Sequence, residues 1–132
     1  MKGKVLVIDD EEDIRVYLST LLEDQGYRAR VLQDDESLAA VAKEFGPGCI
    51  ILDIMMPVRS GVSLYRELKT SPDLKSIPVI ILSGMQSAKN FMTDVISHHG
   101  EGLAVPEPEG FLEKPLSVPD LMGLIENLVK TP

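Results

Sequence analysis

Cys49-Ile50-Ile51-Leu52-Asp53-Ile54-Met55-Met56-Pro57 is the stretch from which the fold can be read. Gly46-Pro47-Gly48 precedes it and Pro57 closes it, so a short, β-branched apolar run lies between two turn signals. Such a run reads as a strand buried on both faces of a parallel sheet. Ligands of open parallel sheets sit just beyond the carboxyl ends of the strands. Asp53 falls at that point, where a carboxylate is a metal ligand, a nucleophile or a helix cap.

The same pattern recurs along the chain. Val5-Leu6-Val7-Ile8 is a second continuous apolar run, and it ends in Asp9-Asp10-Glu11-Glu12-Asp13. The acidic cluster suits a helix N-terminus, where the macrodipole favours negative charge. Ile14, Tyr17, Leu18, Leu21 and Leu22 follow at helical spacing, and Gly26 ends that helix. Tyr27 to Leu32 reads as a less buried strand, and Asp34 or Asp35 as the cap of a helix carrying Leu38, Val41, Ala42 and Phe45. Beyond Asp53, Pro57 to Gly61 is a loop, Val62 to Leu68 a helix and Ser71-Pro72-Asp73 a turn. Ile77 to Leu82 is a fourth strand, with Pro78 confined to its start, where a missing donor is tolerated; it runs into Ser83-Gly84. A helix is expected from about Ser87 to Ser97, then a Gly/Pro/Glu-rich loop from Gly100 to Gly110. Phe111-Leu112-Glu113 is a short last strand before Lys114-Pro115, and Val118 to Val129 the final helix.

Strands alternating with helices imply βαβ units and a parallel sheet. The expectation is an α/β three-layer sandwich: a doubly wound, five-stranded parallel sheet in the flavodoxin-like order 2-1-3-4-5. The first, third and fourth strands are the most apolar and suit the three central places. At 132 residues the chain reads as one domain, with no linker to an output domain and no repeat at solenoid periods.

Composition narrows the function. A net charge of −8 argues against direct nucleic-acid binding, which needs a basic footprint. No apolar run approaches the roughly 20 residues of a bilayer span, and the N-terminus is unlike a signal peptide. The single cysteine, Cys49, reads as a buried strand residue in a reducing cytosol, so a cytoplasmic protein is expected. Clustered carboxylates favour a divalent cation or a cationic partner face.

The ends of strands one, three, four and five carry Asp9 and Asp10, Asp53, Ser83 and Lys114 on one edge of the expected sheet. Three carboxylates this close repel unless a cation neutralises them. Oxygen-only ligands favour a hard ion, Mg²⁺ before Zn²⁺. Lys114 and Ser83 suit the oxygens of a phosphoryl group, and Asp53 could attack phosphorus and carry the group as an aspartyl phosphate. This is the equipment of phosphoryl transfer: in-line positioning and charge neutralisation.

Val5 to Glu11, Leu52-Asp53-Ile54-Met55-Met56-Pro57 with Gly61, Leu82-Ser83-Gly84 and Phe111-Leu112-Glu113-Lys114-Pro115 together resemble the CheY-like receiver domain of bacterial two-component response regulators. The motifs are short, but their order and strand placement agree over nearly the whole chain. The resemblance implies that Asp53 is the phospho-acceptor, served by the phosphohistidine of a sensor histidine kinase or phosphotransfer protein. It implies Mg²⁺ held by Asp10, Asp53 and the backbone carbonyl of Met55, with Asp9 assisting. Ser83 matches the switch serine or threonine, Phe111 the switch aromatic and Lys114 the phosphate-binding lysine, followed by a cis Lys114–Pro115 peptide. Phosphorylation would draw Ser83 toward the phosphoryl group and Phe111 inward. The face made by the fourth helix, fifth strand and fifth helix would then change its preferred partner, a two-state switch with at most slow autophosphatase activity. The downstream target is not named by the sequence, and a homodimer stays open.

Two departures carry expectations of their own. Met55 and Met85 stand two residues after the acceptor and the switch serine, places that in the family border the path of the hydrolytic water. Apolar side chains there cannot orient a water, so a long-lived aspartyl phosphate is expected. The interval from Ser83 to Lys114 is roughly ten residues longer than receivers usually show, and loops beyond about 12 residues are commonly functional or disordered. The 97–110 segment is therefore a candidate for altering partner choice, with a tolerated surface insertion as the alternative. His98-His99 suits a helix C-terminal dipole better than a metal, since further ligands are wanting.

Rival readings fit less well. A phosphatase resembling the haloacid dehalogenase family wants a second Asp two after the nucleophile, where Met55 stands. An FMN-binding flavodoxin wants a phosphate loop where Asp9-Asp10-Glu11 would repel phosphate. A receiver-shaped module that is never phosphorylated would be signalled by loss of Asp53 or Lys114, and both are present.

Overall fold

The computed structural model describes residues 2–54, 61–84 and 108–129, apart from the side chain of Val62. In chain order these hold β1 (Gly3–Ile8), α1 (Glu12–Asp24), β2 (Tyr27–Val31), α2 (Leu38–Phe45), β3 (Cys49–Asp53), α3 (Gly61–Thr70), β4 (Val79–Gly84), β5 (Gly110–Lys114) and α4 (Val118–Leu128). The strands form one sheet in the order β2-β1-β3-β4-β5, and every neighbouring pair is parallel. The expected doubly wound sheet is therefore present in the expected order. The three most apolar strands take the central places: β3 is buried throughout, while the outermost β2 and β5 are only partly covered.

Alternation along the strands builds two cores, one on each face of the sheet. Leu6, Ile8, Ile50, Leu52 and Ile81 pack with Leu38 and Val41 of α2 and with Leu64, Tyr65 and Leu68 of α3. Val5, Val7, Ile51, Ile80 and Leu82 pack with Leu18 and Leu22 of α1 and with Leu121 and Ile125 of α4. Cys49 lies in the second core, and its burial pushes the thiol pKa up to about 12, which leaves it an inert packing residue.

Several boundaries differ from the sequence reading. Neither Asp34 nor Asp35 caps α2; Ser37 does, its hydroxyl accepting from the Ala40 backbone N–H. Serine at that position reaches the orphan donors of the first turn, and the aspartates fall too early. β4 starts at Val79, not Ile77, and the Pro78 carbonyl accepts from the Ile50 N–H at 2.9 Å. Proline thus joins the ladder as an acceptor only. Gly26 behaves as expected, with φ of 94° just after the C-cap of α1. The helix expected over 87–97, His98-His99 and most of the 97–110 segment lie outside the described residues.

The end of that segment is firmly placed. Glu109 accepts from the Lys69 ammonium at 3.0 and 3.1 Å and from the Val79 N–H at 2.8 Å. Lys69 also donates to the Ile77 carbonyl at 3.2 Å, and its side chain is only 1% exposed. A single ion pair therefore ties the start of β5 to the end of α3 and the start of β4.

Candidate functional site

The parallel registers put the ends of β1, β3, β4 and β5 along one edge of the sheet. Ile8 pairs with Leu52, Asp53 with Leu82, Ser83 with Glu113 and Gly84 with Lys114. Asp9 follows β1 directly, Asp53 is the last residue of β3 and Lys114 the last of β5. Each strand is apolar up to this point because it is sandwiched by helices. Each turns polar where the sheet ends and a cleft opens.

Asp9, Asp10 and Asp53 present carboxylate oxygens within 4.8 Å of one another. Asp9 and Asp53 are each 1% exposed, and Asp10 is partly exposed. Asp9 Oδ1 accepts from the Glu11 N–H at 2.9 Å, while Asp9 Oδ2 is buried with no hydrogen-bond partner. Lys114 approaches from β5, its Nζ 3.5 Å from Asp9 Oδ2 and 3.6 Å from Asp53 Oδ2.

The charges act on each other as this packing demands. Burial is the main force raising the Asp9 pKa; the Asp53 and Asp10 carboxylates add to it, while the Glu11 N–H and Lys114 oppose it. At Lys114, partial burial opposes the charged form, but Asp53, Asp9 and Glu11 outweigh it and raise the pKa. One ammonium, paired with Asp9 and Asp53, against three carboxylates leaves a net negative cleft. A buried oxygen with no hydrogen bond, met only by the Lys114 ammonium at 3.5 Å among three convergent acids, fits a hard divalent cation, since all the side-chain donors are oxygens. Met55, whose backbone carbonyl the resemblance adds to these ligands, lies outside the described residues, as does Met85.

Ser83 is fully buried, and its hydroxyl makes a 3.4 Å contact to the Gly84 carbonyl. Phe111 pairs with Ile81, two residues before Ser83, so the serine and the aromatic lie diagonally on one face of adjacent strands. Phe111 is half-buried against the α2–α3 core. The Lys114–Pro115 peptide is cis. Of the residues the sequence points to, the fold gathers Asp9, Asp10, Asp53, Ser83 and Lys114 at one end of the sheet, while Phe111 lies near the start of β5, further down the same face as Ser83.

Two contributors gain their physical reason only from the fold. Gly61, at the start of α3, sits so close to β3 that a Cβ there would lie 2.4 Å from Ile54 Cα and 3.0 Å from the Asp53 carbonyl oxygen. Its place in the motif was visible, but not its reason. Arg15 is buried behind Asp9, donating from Nε to the Asp9 carbonyl and from a terminal nitrogen to Asp34 Oδ1 at 2.6 Å. The signal available was its isolation, as the only Lys or Arg between Lys4 and Arg28.

Comparison with known proteins identifies the family and the fold. Residues 5–126 match the family model for the response regulator receiver domain. The chain is 30% identical over 131 residues to the phosphate regulon transcriptional regulatory protein PhoB of Rhizobium meliloti, covering 98% of this chain and 53% of that protein. It is 28% identical over 131 residues to response regulator MprA of Mycolicibacterium vanbaalenii, covering 98% and 52%. The chain therefore spans about half the length of these curated relatives. Among solved structures, the signal receiver domain of a signal transduction histidine kinase from Syntrophus aciditrophicus aligns with a TM-score of 0.78 at 25% identity, covering 96% of this chain and 89% of that one. Chemotaxis protein CheY4 of Vibrio cholerae aligns with a TM-score of 0.73 at 26% identity, covering 96% and 98%.

Proposed function

Because the chain belongs to the response regulator receiver domain family, we propose that it is a phosphorylatable signalling switch with Asp53 as its acceptor. The observation that supports this most is the convergence of Asp9, Asp10, Asp53 and Lys114 in one buried, net-negative cleft. A carboxylate oxygen of Asp53 attacks the phosphorus of a phosphohistidine on a sensor histidine kinase or phosphotransfer protein. The P–N bond breaks and the electron pair leaves with the imidazole. Mg²⁺, when bound, neutralises the phosphoryl oxygens and so lets an anionic donor approach three carboxylates. Asp9, Asp10, Asp53 and the Met55 carbonyl would hold it. Lys114 provides a fixed positive charge on the far side of the cleft, 3.6 Å from Asp53 Oδ2.

Readout follows from the shared face of Ser83 and Phe111. The Ser83 hydroxyl, weakly engaged by Gly84, turns to donate to a phosphoryl oxygen. Phe111 moves deeper into the space released, and the surface of β5, α4 and the 87–97 segment changes the protein partner it favours. A cytoplasmic location accords with a kinase donor; no helix among the described residues is long and apolar enough to cross a membrane.

Incubation with acetyl phosphate and Mg²⁺ tests the proposal, read by intact-protein mass. One phosphoryl group should be gained, dependent on Mg²⁺ and absent in Asp53→Asn. Catalytic turnover of small phosphoesters, or labelling that survives Asp53→Asn, would contradict it. Decay of the labelled protein tests the role of Met55 and Met85. The aspartyl phosphate should persist well beyond seconds, and Met55→Asn should shorten its life by supplying a polar group to orient water.

A further inference from the structure

We infer that Arg15 is a positioning residue that presets the acidic turn after β1 for a divalent cation. This rests on the Mg²⁺-dependent reading above. Arg15 is the fourth residue of α1 and is only 8% exposed. Its Nε donates to the backbone carbonyl of Asp9 at 2.5 Å. One terminal nitrogen donates to Asp34 Oδ1 at 2.6 Å, and the other stands 3.7 Å from Glu12 Oε2. Asp34 belongs to the turn after β2, and that chain segment is itself fastened to β1 by the Leu32 N–H on the Val7 carbonyl at 2.9 Å. Arg15 therefore bridges the end of β1 to the turn between β2 and α2.

The bridge grips the backbone from behind the metal-facing side chains. The Asp9 carbonyl is one end of the Asp9–Asp10 peptide, so its direction sets how both carboxylates are presented. Those carboxylates repel each other and Asp53 across less than 4.8 Å. Repulsion alone would splay the turn, and a cation would then have to reorder it on binding. A planar guanidinium with donors in a fixed fork holds the peptide and its own counter-ion at once, which an ammonium cannot do. Arg15 is also a positive charge near a cation site, and by charge alone it would weaken Mg²⁺ binding. Asp34 and Glu12 neutralise it, so the held geometry outweighs the repulsion.

The test is Mg²⁺ titration by calorimetry on the full chain, with backbone amide hydrogen exchange at Glu11 and Glu12. Arg15→Ala should bind Mg²⁺ about 10-fold more weakly, the usual loss when an outer partner of a metal ligand is removed. Exchange in the turn should speed up. Arg15→Lys, which keeps the charge but not the fork, should recover only part of the affinity. Asp34→Asn, at a side chain 68% exposed and safe for folding, should weaken binding in the same direction. Tighter binding in Arg15→Ala, with a difference that shrinks in salt, would mean that Arg15 acts by repulsion and overturns the inference. Unchanged Mg²⁺ affinity in Arg15→Ala and Asp34→Asn, with only a lower melting temperature, would reduce Arg15 to a stability role and equally overturn it. In either case the function proposed for Asp53 stands if the native chain binds Mg²⁺ and takes up phosphoryl. If the native chain binds no Mg²⁺ at millimolar concentration, that functional reading fails first and carries the inference with it.

Discussion

Asp9 shows what a single buried carboxylate contributes. Its second oxygen has no hydrogen bond, and burial leads the forces that raise its pKa above the usual 3.8. A raised folded pKa means the folded state holds the proton to higher pH than the unfolded chain does. Stability from this group is therefore present when it is protonated, and is lost as pH rises from the ordinary value through the raised one. Above that range the ionised carboxylate opposes folding until a cation arrives. Asp9→Asn should accordingly melt at higher temperature than the native protein in chelator at neutral pH, with the difference vanishing once the solution is acid enough to protonate Asp9. The same variant should gain less from added Mg²⁺. Thermal melts across pH, with and without Mg²⁺, check both signs. Equal melting of the two proteins in chelator at neutral pH would show that Asp9 carries no such strain.

Between elements, two contacts decide how the site end of the sheet is assembled. The first is α3 against β3. Gly61 lets the helix start 2.4 Å, measured from a hypothetical Cβ, from Ile54 Cα, and both obstructing residues are backbone rather than flexible side chain. Gly61→Ala must push Asp53–Ile54 aside. We expect a loss of about 1–3 kcal/mol from overpacking, with slower phosphoryl uptake because the acceptor itself shifts. Urea denaturation and the acetyl phosphate assay measure the two effects separately. The second is the tie from Lys69 to Glu109. Among the described residues, Glu109→Ala leaves the buried ammonium with the Ile77 carbonyl alone and removes the acceptor of the Val79 N–H. With Glu109 itself 35% exposed, losing this partner of a buried ammonium should cost about 1–3 kcal/mol, whereas removing both is far milder. Lys69→Met with Glu109→Gln should therefore recover much of the stability lost in Glu109→Ala. The double variant being no better than the single one would deny the pair this role.

At the scale of the whole molecule, net charge of −8 and a cleft of three acids make cation binding a stability term. Mg²⁺ that binds only the folded state should stabilise it by about 2.7 kcal/mol at a hundredfold excess over Kd. Chelator should reverse the gain, and Asp10→Asn or Asp53→Asn should blunt it, because each removes a ligand. Differential scanning calorimetry at a series of Mg²⁺ concentrations gives the dependence. A melting temperature indifferent to Mg²⁺ would remove the cation from the site.

How much was legible beforehand differs between these scales. Continuous apolar runs at 5–8, 49–52 and 79–82 can be buried on both sides only in the middle of a covered parallel sheet, so the central places and polar ends of those strands followed from local pattern, while the full order came from the doubly wound fold class. Asp9, Asp10, Asp53, Ser83 and Lys114 were visible because chain order already assigns them to strand ends. The cap of α2 was misplaced because Asp34, Asp35 and Ser37 lie within four residues and each can cap, and only the path of the backbone from β2 selects Ser37. Arg15 and the Lys69–Glu109 pair were invisible for a different reason. Their partners lie 6 to 40 residues away, and a charged residue on a helix looks solvated until another element closes over it. Sequence by itself determined which apolar runs are strands and on which edge of the sheet their polar flanks fall, through short-range apolar patterning. The tertiary structure alone decided which distant charges are buried together, because burial depends on the packing of elements that no local pattern records.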